Sequence, residues 1–150
     1  MDIRFVWDQI RPRIEIQDNG SGMNSDELYR AMRLGEKSPL DDRTENDLGR
    51  FGMGLKTASF SQCRVLTVGS WSGEGLNCLR WDLNYLENAP DDGWYILEGT
   101  REGSETLLDP LRESEQGTLV IWEDLDRVVT PNFLMNDFLN LIDNVERHLS

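Results

Sequence analysis

The sequence predicts an α+β fold, a two-layer sandwich in which helices cover one face of a mixed, mostly antiparallel sheet. Two observations carry this prediction. Short stretches of strand-like alternation recur along the chain, and few segments have the apolar period of a helix. The length of 150 residues fits a single domain with a hydrophobic core, so one domain is expected over residues 1–150.

The chain is predicted to begin with a hairpin. Apolar residues alternate with their neighbours at Ile3, Phe5 and Trp7, and again at Ile14 and Ile16. Residues 9–12 can form the turn between these two strands. The second strand should end near residue 18, because the segment 18–23 is too rich in glycine to continue it.

A helix is predicted next. Asn24 can cap it, and Glu27 stands three residues later, as in a capping box. Leu28, Ala31 and Met32 share one face, and Gly35 can end the helix. Residues 36–47 are polar and lack an apolar period, which predicts a mobile loop.

Strands are then predicted over about 63–71, 76–83, 94–99 and 117–123. A final helix should start at Thr130 and Pro131, which suit the N-cap and first helical positions. Its apolar stripe, expected to pack against the sheet, consists of Leu134, Phe138, Leu141, Ile142, Val145 and Leu149.

Composition restricts the function. The formal net charge of −13 repels phosphate backbones, which disfavours nucleic-acid binding by this chain alone. No apolar run approaches a membrane span. Cys63 and Cys78 form no metal-binding pattern, and free thiols in a reducing cytoplasm are the expected state.

The first glycine motif is Asp18-x-Gly20-x-Gly22. A carboxylate at a strand end can accept a hydrogen bond from the N6 amino group of adenine, and it disfavours guanine, which has a carbonyl there. The glycines would let the backbone approach a flat base. The alternative is an ordinary Asn-Gly turn beside an aspartate.

The second motif, Gly49-x-x-Gly52-x-Gly54, precedes a predicted short helix and has Arg50 and Lys56 nearby. Exposed N–H groups and a helix N-terminus favour an anion such as a polyphosphate. The P-loop pattern does not fit, because Leu55 separates Gly54 from Lys56 and no apolar strand precedes the motif. A glycine-rich helix entry that serves packing alone is the alternative.

The order of these motifs, followed by Gly117-Thr118 entering a strand, resembles the GHKL ATPases. This superfamily includes gyrase B, heat-shock chaperone ATPases, sensor histidine kinases and MutL. The string from Phe51 to Thr57 is most similar to the MORC-like and bacterial Hsp-type branch. The resemblance spans about 14–122 and implies the Bergerat ATP-binding fold.

The resemblance implies a role for each matched position. Asp18 would bind adenine N6, Thr118 would join through a water, and Gly22 and Met23 would line the base. Residues 36–54 would form a lid over the phosphates of ATP and its Mg²⁺. The complete set implied to bind the nucleotide is Asp18, Gly20, Gly22, Met23, Gly49, Arg50, Phe51, Gly52, Met53, Gly54, Leu55, Lys56 and Thr118. Lys56 also has a simpler reading as a surface lysine.

The resemblance also implies parts that this sequence lacks. In the superfamily a helix before the first strand carries a catalytic Glu and a Mg²⁺-binding Asn, and no such pattern precedes Asp18. We therefore expect weak or no hydrolysis by these residues. The chain is expected to be part of a longer ATPase that closes its lid and forms a homodimer on binding ATP. A non-hydrolysing nucleotide-sensing module is the alternative.

Two other functions fit parts of the sequence. A histidine-kinase-like domain would need a phospho-acceptor, and the single histidine, His148, lies far from a suitable position. A protein-interaction module could use a surface built from Trp71, Trp81, Trp94 and Trp122, although core packing is the expected role of these side chains.

Overall fold

The computed structural model of the chain describes residues 1–7, 11–33, 59, 62–90, 95–125, 140 and 143. These residues form β1 (Asp2–Val6), β2 (Arg13–Asp18), α1 (Ser25–Met32), β3 (Val65–Ser72), β4 (Gly75–Asp82), α2 (Leu83–Asn88), β5 (Leu97–Glu98), a 3₁₀ helix (Glu105–Leu108), α3 (Asp109–Ser114) and β6 (Gly117–Glu123). The predicted α+β class is confirmed.

The described strands form one sheet in the order β1-β2-β6-β3-β4-β5, and every pair among them is antiparallel. β6 comes last in this series yet lies at the centre, between β2 and β3. All seven of its residues are buried, which explains why it reads as a continuous apolar run rather than an alternation. Its register places Asp18, Thr118 and Ser70 in one row across three strands.

The main core lies on one face of the sheet, under α1. Leu28 and Met32 of α1 pack there with side chains from four strands, among them Leu66, Trp81 and Trp122. The indole Nε1 of Trp81 donates to the backbone O of Met32 at 2.7 Å, which satisfies a carbonyl at the helix end. Trp81 and Trp122 are thus core residues, as expected, rather than parts of a recognition surface.

The opposite face of the sheet also carries helical segments, whereas the prediction placed helices on one face only. Leu108 and Leu111, from the 3₁₀ helix and α3, pack there against Leu119 and Ile121 of β6. These two helical segments hold only one or two turns each, so their apolar period is too short to detect in the sequence. The signals present were Leu107, Leu108 and Leu111 with Pro110 near the start of a helix.

The element boundaries agree with the predictions to within two residues for β1 to β4, α1 and β6. β5 is shorter than predicted, and α2 was missed; Asp82 caps α2 by accepting from the N–H groups of Asn84 and Tyr85. The second glycine motif, the whole predicted lid (residues 36–54), Trp94 and the predicted start of the final helix lie outside the described residues. Ser59 and Gln62 are helical, as expected after that motif. None of the described helices is long and apolar enough to cross a membrane.

Candidate nucleotide site

Asp18 ends β2 and lies opposite Thr118, the second residue of β6. Its Oδ1 accepts from the N–H of Gly20 at 2.9 Å and from the N–H of Thr118 at 3.1 Å. The two backbone donors fix the orientation of the carboxylate. Among the described residues no donor reaches Oδ2, and Asp18 is partly exposed. Within the described part of the chain, the carboxylate therefore presents one acceptor oxygen without a partner, at the end of β2.

Gly22 and Gly117 occupy positions that exclude a side chain. Gly22 has φ +73°, and a Cβ there would lie 1.8 Å from the backbone O of Trp71. Gly117 has φ +96°, and a Cβ there would lie 2.3 Å from the backbone O of Asp18. Both glycines are needed because the loop after β2 passes directly over the ends of β3 and β6.

Met23 is attached to β3 by its backbone. Its N–H donates to the Oγ of Ser70 at 2.7 Å, and this Oγ also lies 2.8 Å from the Oγ1 of Thr118. Ser70 is fully buried and Thr118 is 4% exposed. The hydroxyl groups of β3 and β6 therefore form a buried pair directly behind the loop that follows Asp18.

The structure brings together five of the predicted site residues: Asp18, Gly20, Gly22, Met23 and Thr118. The other eight, Gly49, Arg50, Phe51, Gly52, Met53, Gly54, Leu55 and Lys56, lie outside the described residues. Sequence reasoning missed Ser70. The available signal was a hydroxyl residue in the buried part of β3, where a polar group usually has a hydrogen-bond partner.

A second polar cluster lies at the opposite end of the sheet, after β6. Asp124 accepts from Arg101 at 2.8 Å and from Asn84 at 2.7 Å. Burial lowers the pKa of Arg101, but the hydrogen bond and charge of Asp124, aided by Glu123 and Asp82, outweigh it and raise this pKa. The carboxylate oxygens of Asp124 are thus both paired, in contrast to Asp18, and the cluster is structural.

The Asp18 end of the sheet offers an acceptor oxygen, a hydroxyl group in the same row, and a loop that has glycine at positions 20 and 22. This combination suits a flat ligand that carries an amino group. A sequence model described as histidine kinase-, DNA gyrase B-, and HSP90-like ATPase matches residues 2–118, more than half of the chain. The matched range contains Asp18, both glycine motifs and Thr118. No curated protein matches the chain.

Proposed function

The chain belongs to the family of histidine kinase-, DNA gyrase B- and HSP90-like ATPases, and from this premise we propose that it binds the adenine of ATP at Asp18. The family supports an ATP-binding domain of the GHKL type. The residue assignments, the closing lid, Mg²⁺ and the homodimer are our proposals.

The observation that carries the adenine proposal is that no donor among the described residues reaches the Oδ2 of Asp18. The other oxygen, Oδ1, accepts from two backbone N–H groups, so the carboxylate cannot rotate to bring Oδ2 to another donor without losing these bonds. An amino group such as adenine N6 would supply the missing donor, whereas the carbonyl of guanine would place two acceptors against each other. A buried or half-buried acceptor left without a donor is costly, so this arrangement discriminates strongly.

The phosphate half of the site is proposed from the sequence. Backbone N–H groups of Gly52, Gly54 and Leu55, with Lys56, would hold the phosphates, and Gly49, Arg50, Phe51 and Met53 belong to the same motif. The net charge of −13 makes such local donors necessary, together with Mg²⁺ on the phosphate oxygens. Residues 36–54 would close over the nucleotide and couple binding to homodimer formation.

Calorimetry of ATP binding by the purified chain, with and without Mg²⁺, tests the proposal. Asp18→Asn is the informative variant, because an amide oxygen can still accept from Gly20 and Thr118 while the amino group replaces the free acceptor. We expect this variant to keep its fold and to bind ATP at least about 100-fold more weakly. GTP should bind weakly to both proteins.

Glu113→Gln is the matched control, since it removes one negative charge from an exposed residue of α3. It should leave ATP binding unchanged. Equal affinity of the Asp18→Asn and Glu113→Gln variants for ATP would refute the assignment of Asp18. Weak or absent hydrolysis stays a prediction, and Mg²⁺-dependent phosphate release that Asp18→Asn abolishes would contradict it.

A further inference from the structure

Ser70 joins three parts of the candidate site that are distant in sequence. Its Oγ accepts from the N–H of Met23 at 2.7 Å, lies 2.8 Å from the Oγ1 of Thr118, and lies 3.3 Å from the backbone O of Gly117. Ser70 is fully buried. Its hydroxyl group therefore connects β3 to the loop after β2 and to the start of β6.

The proton of Ser70 has two possible acceptors, the Oγ1 of Thr118 and the backbone O of Gly117. An O–H···O hydrogen bond is commonly about 2.5–3.0 Å long, and the distance to Thr118 is 2.8 Å, against 3.3 Å to Gly117. Donation to Thr118 is thus favoured. The proton of Thr118 is then not used within the pair and can be donated outward.

We propose that Ser70 is a positioning residue which holds Thr118 as a hydrogen-bond donor and so adds selectivity for adenine at its N1 atom. This inference rests on the proposed ATP site. Thr118 is 4% exposed, which suits contact through one bridging water. A water that accepts from Thr118 has both protons left, one for N1 of the base and one for Oδ2 of Asp18.

This arrangement fits a base whose edge carries a hydrogen-bond donor next to a hydrogen-bond acceptor. Adenine has both, at N6 and N1, whereas N1 of guanine carries a hydrogen. A guanine would direct this hydrogen at a water that is itself donating. Asp18 thus selects one position of the ring, and the pair of Ser70 and Thr118 selects the neighbouring position.

A cycle of two proteins and two ligands tests the coupling. The ligands are ATP and 1-deaza-ATP, in which a C–H group replaces N1. We expect the chain to prefer ATP about tenfold, the effect of one hydrogen bond. In Ser70→Ala this preference should fall to about twofold or less. The hydroxyl group of Thr118 then has no donor from Ser70, so it can either donate a hydrogen bond to the water or accept one from it. If Ser70→Ala only disturbed the structure, it would weaken the binding of ATP and of 1-deaza-ATP by the same factor.

Two further variants separate the effect from a general change of the core. Ser70→Cys nearly preserves the volume but replaces the hydroxyl with a weak donor, so its preference should also fall. Thr67→Val is the matched control on the same strand. The Thr67 hydroxyl is buried and has no hydrogen-bond partner in the described part of the chain, so the tenfold preference should persist.

The backbone half of the inference has a readout that needs no ligand. Hydrogen exchange at the Met23 amide should be at least about tenfold faster in Ser70→Ala than in the chain, with Thr67→Val unchanged. If Ser70→Ala keeps the tenfold preference for ATP over 1-deaza-ATP, the proposed role of Ser70 is wrong. If Asp18→Asn at the same time still loses ATP binding, the proposed function remains supported. A folded chain that binds no ATP would overturn both.

Discussion

Gly22 determines how the loop after β2 meets the sheet. It combines a left-handed backbone, with φ +73°, and a position where a Cβ would lie 1.8 Å from the backbone O of Trp71. The obstacle is a backbone carbonyl near the end of β3, where Trp71 is paired on both sides, so it cannot move aside as a side chain would. The next residue, Met23, bonds to Ser70 through its N–H. A shift at Gly22 therefore moves the predicted base-lining residue.

Gly22→Ala should destabilise the chain by more than about 2 kcal/mol, from the left-handed backbone and the collision together. Gly73→Ala is the matched control, because a Cβ at Gly73 meets nothing within 4 Å. That variant should change the free energy of unfolding by less than about 0.5 kcal/mol. Urea unfolding of the two variants checks the prediction. If the two variants were equally stable, the loop would be able to move away from Trp71 at little cost, which would contradict the prediction.

At the scale of elements, α1 fixes the far end of the same loop. The Oδ1 of Asn24 accepts from the N–H of Glu27 at 2.9 Å, and the Oε2 of Glu27 accepts from the N–H of Asn24 at 2.8 Å. Asn24 directly follows Met23, so this capping box sets where the loop stops and the helix begins. The helix in turn is held to β4 by Trp81.

Asn24→Ala should lower the free energy of unfolding by about 1 kcal/mol, since the first turn of α1 loses its side-chain acceptor. Asn24→Ser keeps a capping oxygen and should cost only a few tenths of a kcal/mol, roughly. Thermal unfolding of both variants distinguishes capping from a general effect of shortening the side chain. A serine variant as unstable as the alanine variant would argue against the capping role.

At the scale of the whole molecule, the two faces of the sheet are covered differently. The face under α1 holds the larger core, and the face under α3 holds a smaller cluster that includes Cys78. Burial raises the pKa of the Cys78 thiol to about 11 from 9.0, against the opposing charges of Arg80 and Arg112. The thiol therefore reports on the integrity of this second cluster.

The raised pKa predicts a loss of stability in alkali. The unfolded thiol ionises near pH 9 and the folded one near pH 11, so between these values the unfolded state binds fewer protons and is favoured. Cys78 should thus lower the free energy of unfolding by roughly 2 kcal/mol as pH rises through this window. Denaturant unfolding of the unsubstituted chain and of Cys78→Ala from pH 8 to 11 isolates the contribution of Cys78 to the free energy of unfolding. All other groups titrate in both proteins, so their contributions cancel in the comparison. Parallel pH profiles would contradict it.

Much of this molecule follows from local patterns in the sequence. Alternation predicted β1 and β2, the pairing of Asn24 with Glu27 predicted the start of α1, and the apolar run after Gly117 predicted β6. Asp18 with Gly20 and Gly22 predicted a site at the end of β2. These features depend on residues close together along the chain, where the spacing itself carries the signal.

The tertiary structure alone decided which strands are neighbours and what stands behind Asp18. The sequence cannot show that β6 lies between β2 and β3, because pairing depends on burying both faces of a central strand at once. That register places Thr118 between Asp18 and Ser70. The Oδ1 of Asp18 takes its second backbone donor from Thr118, 100 residues away, and the proposed contact with adenine uses the other oxygen, Oδ2.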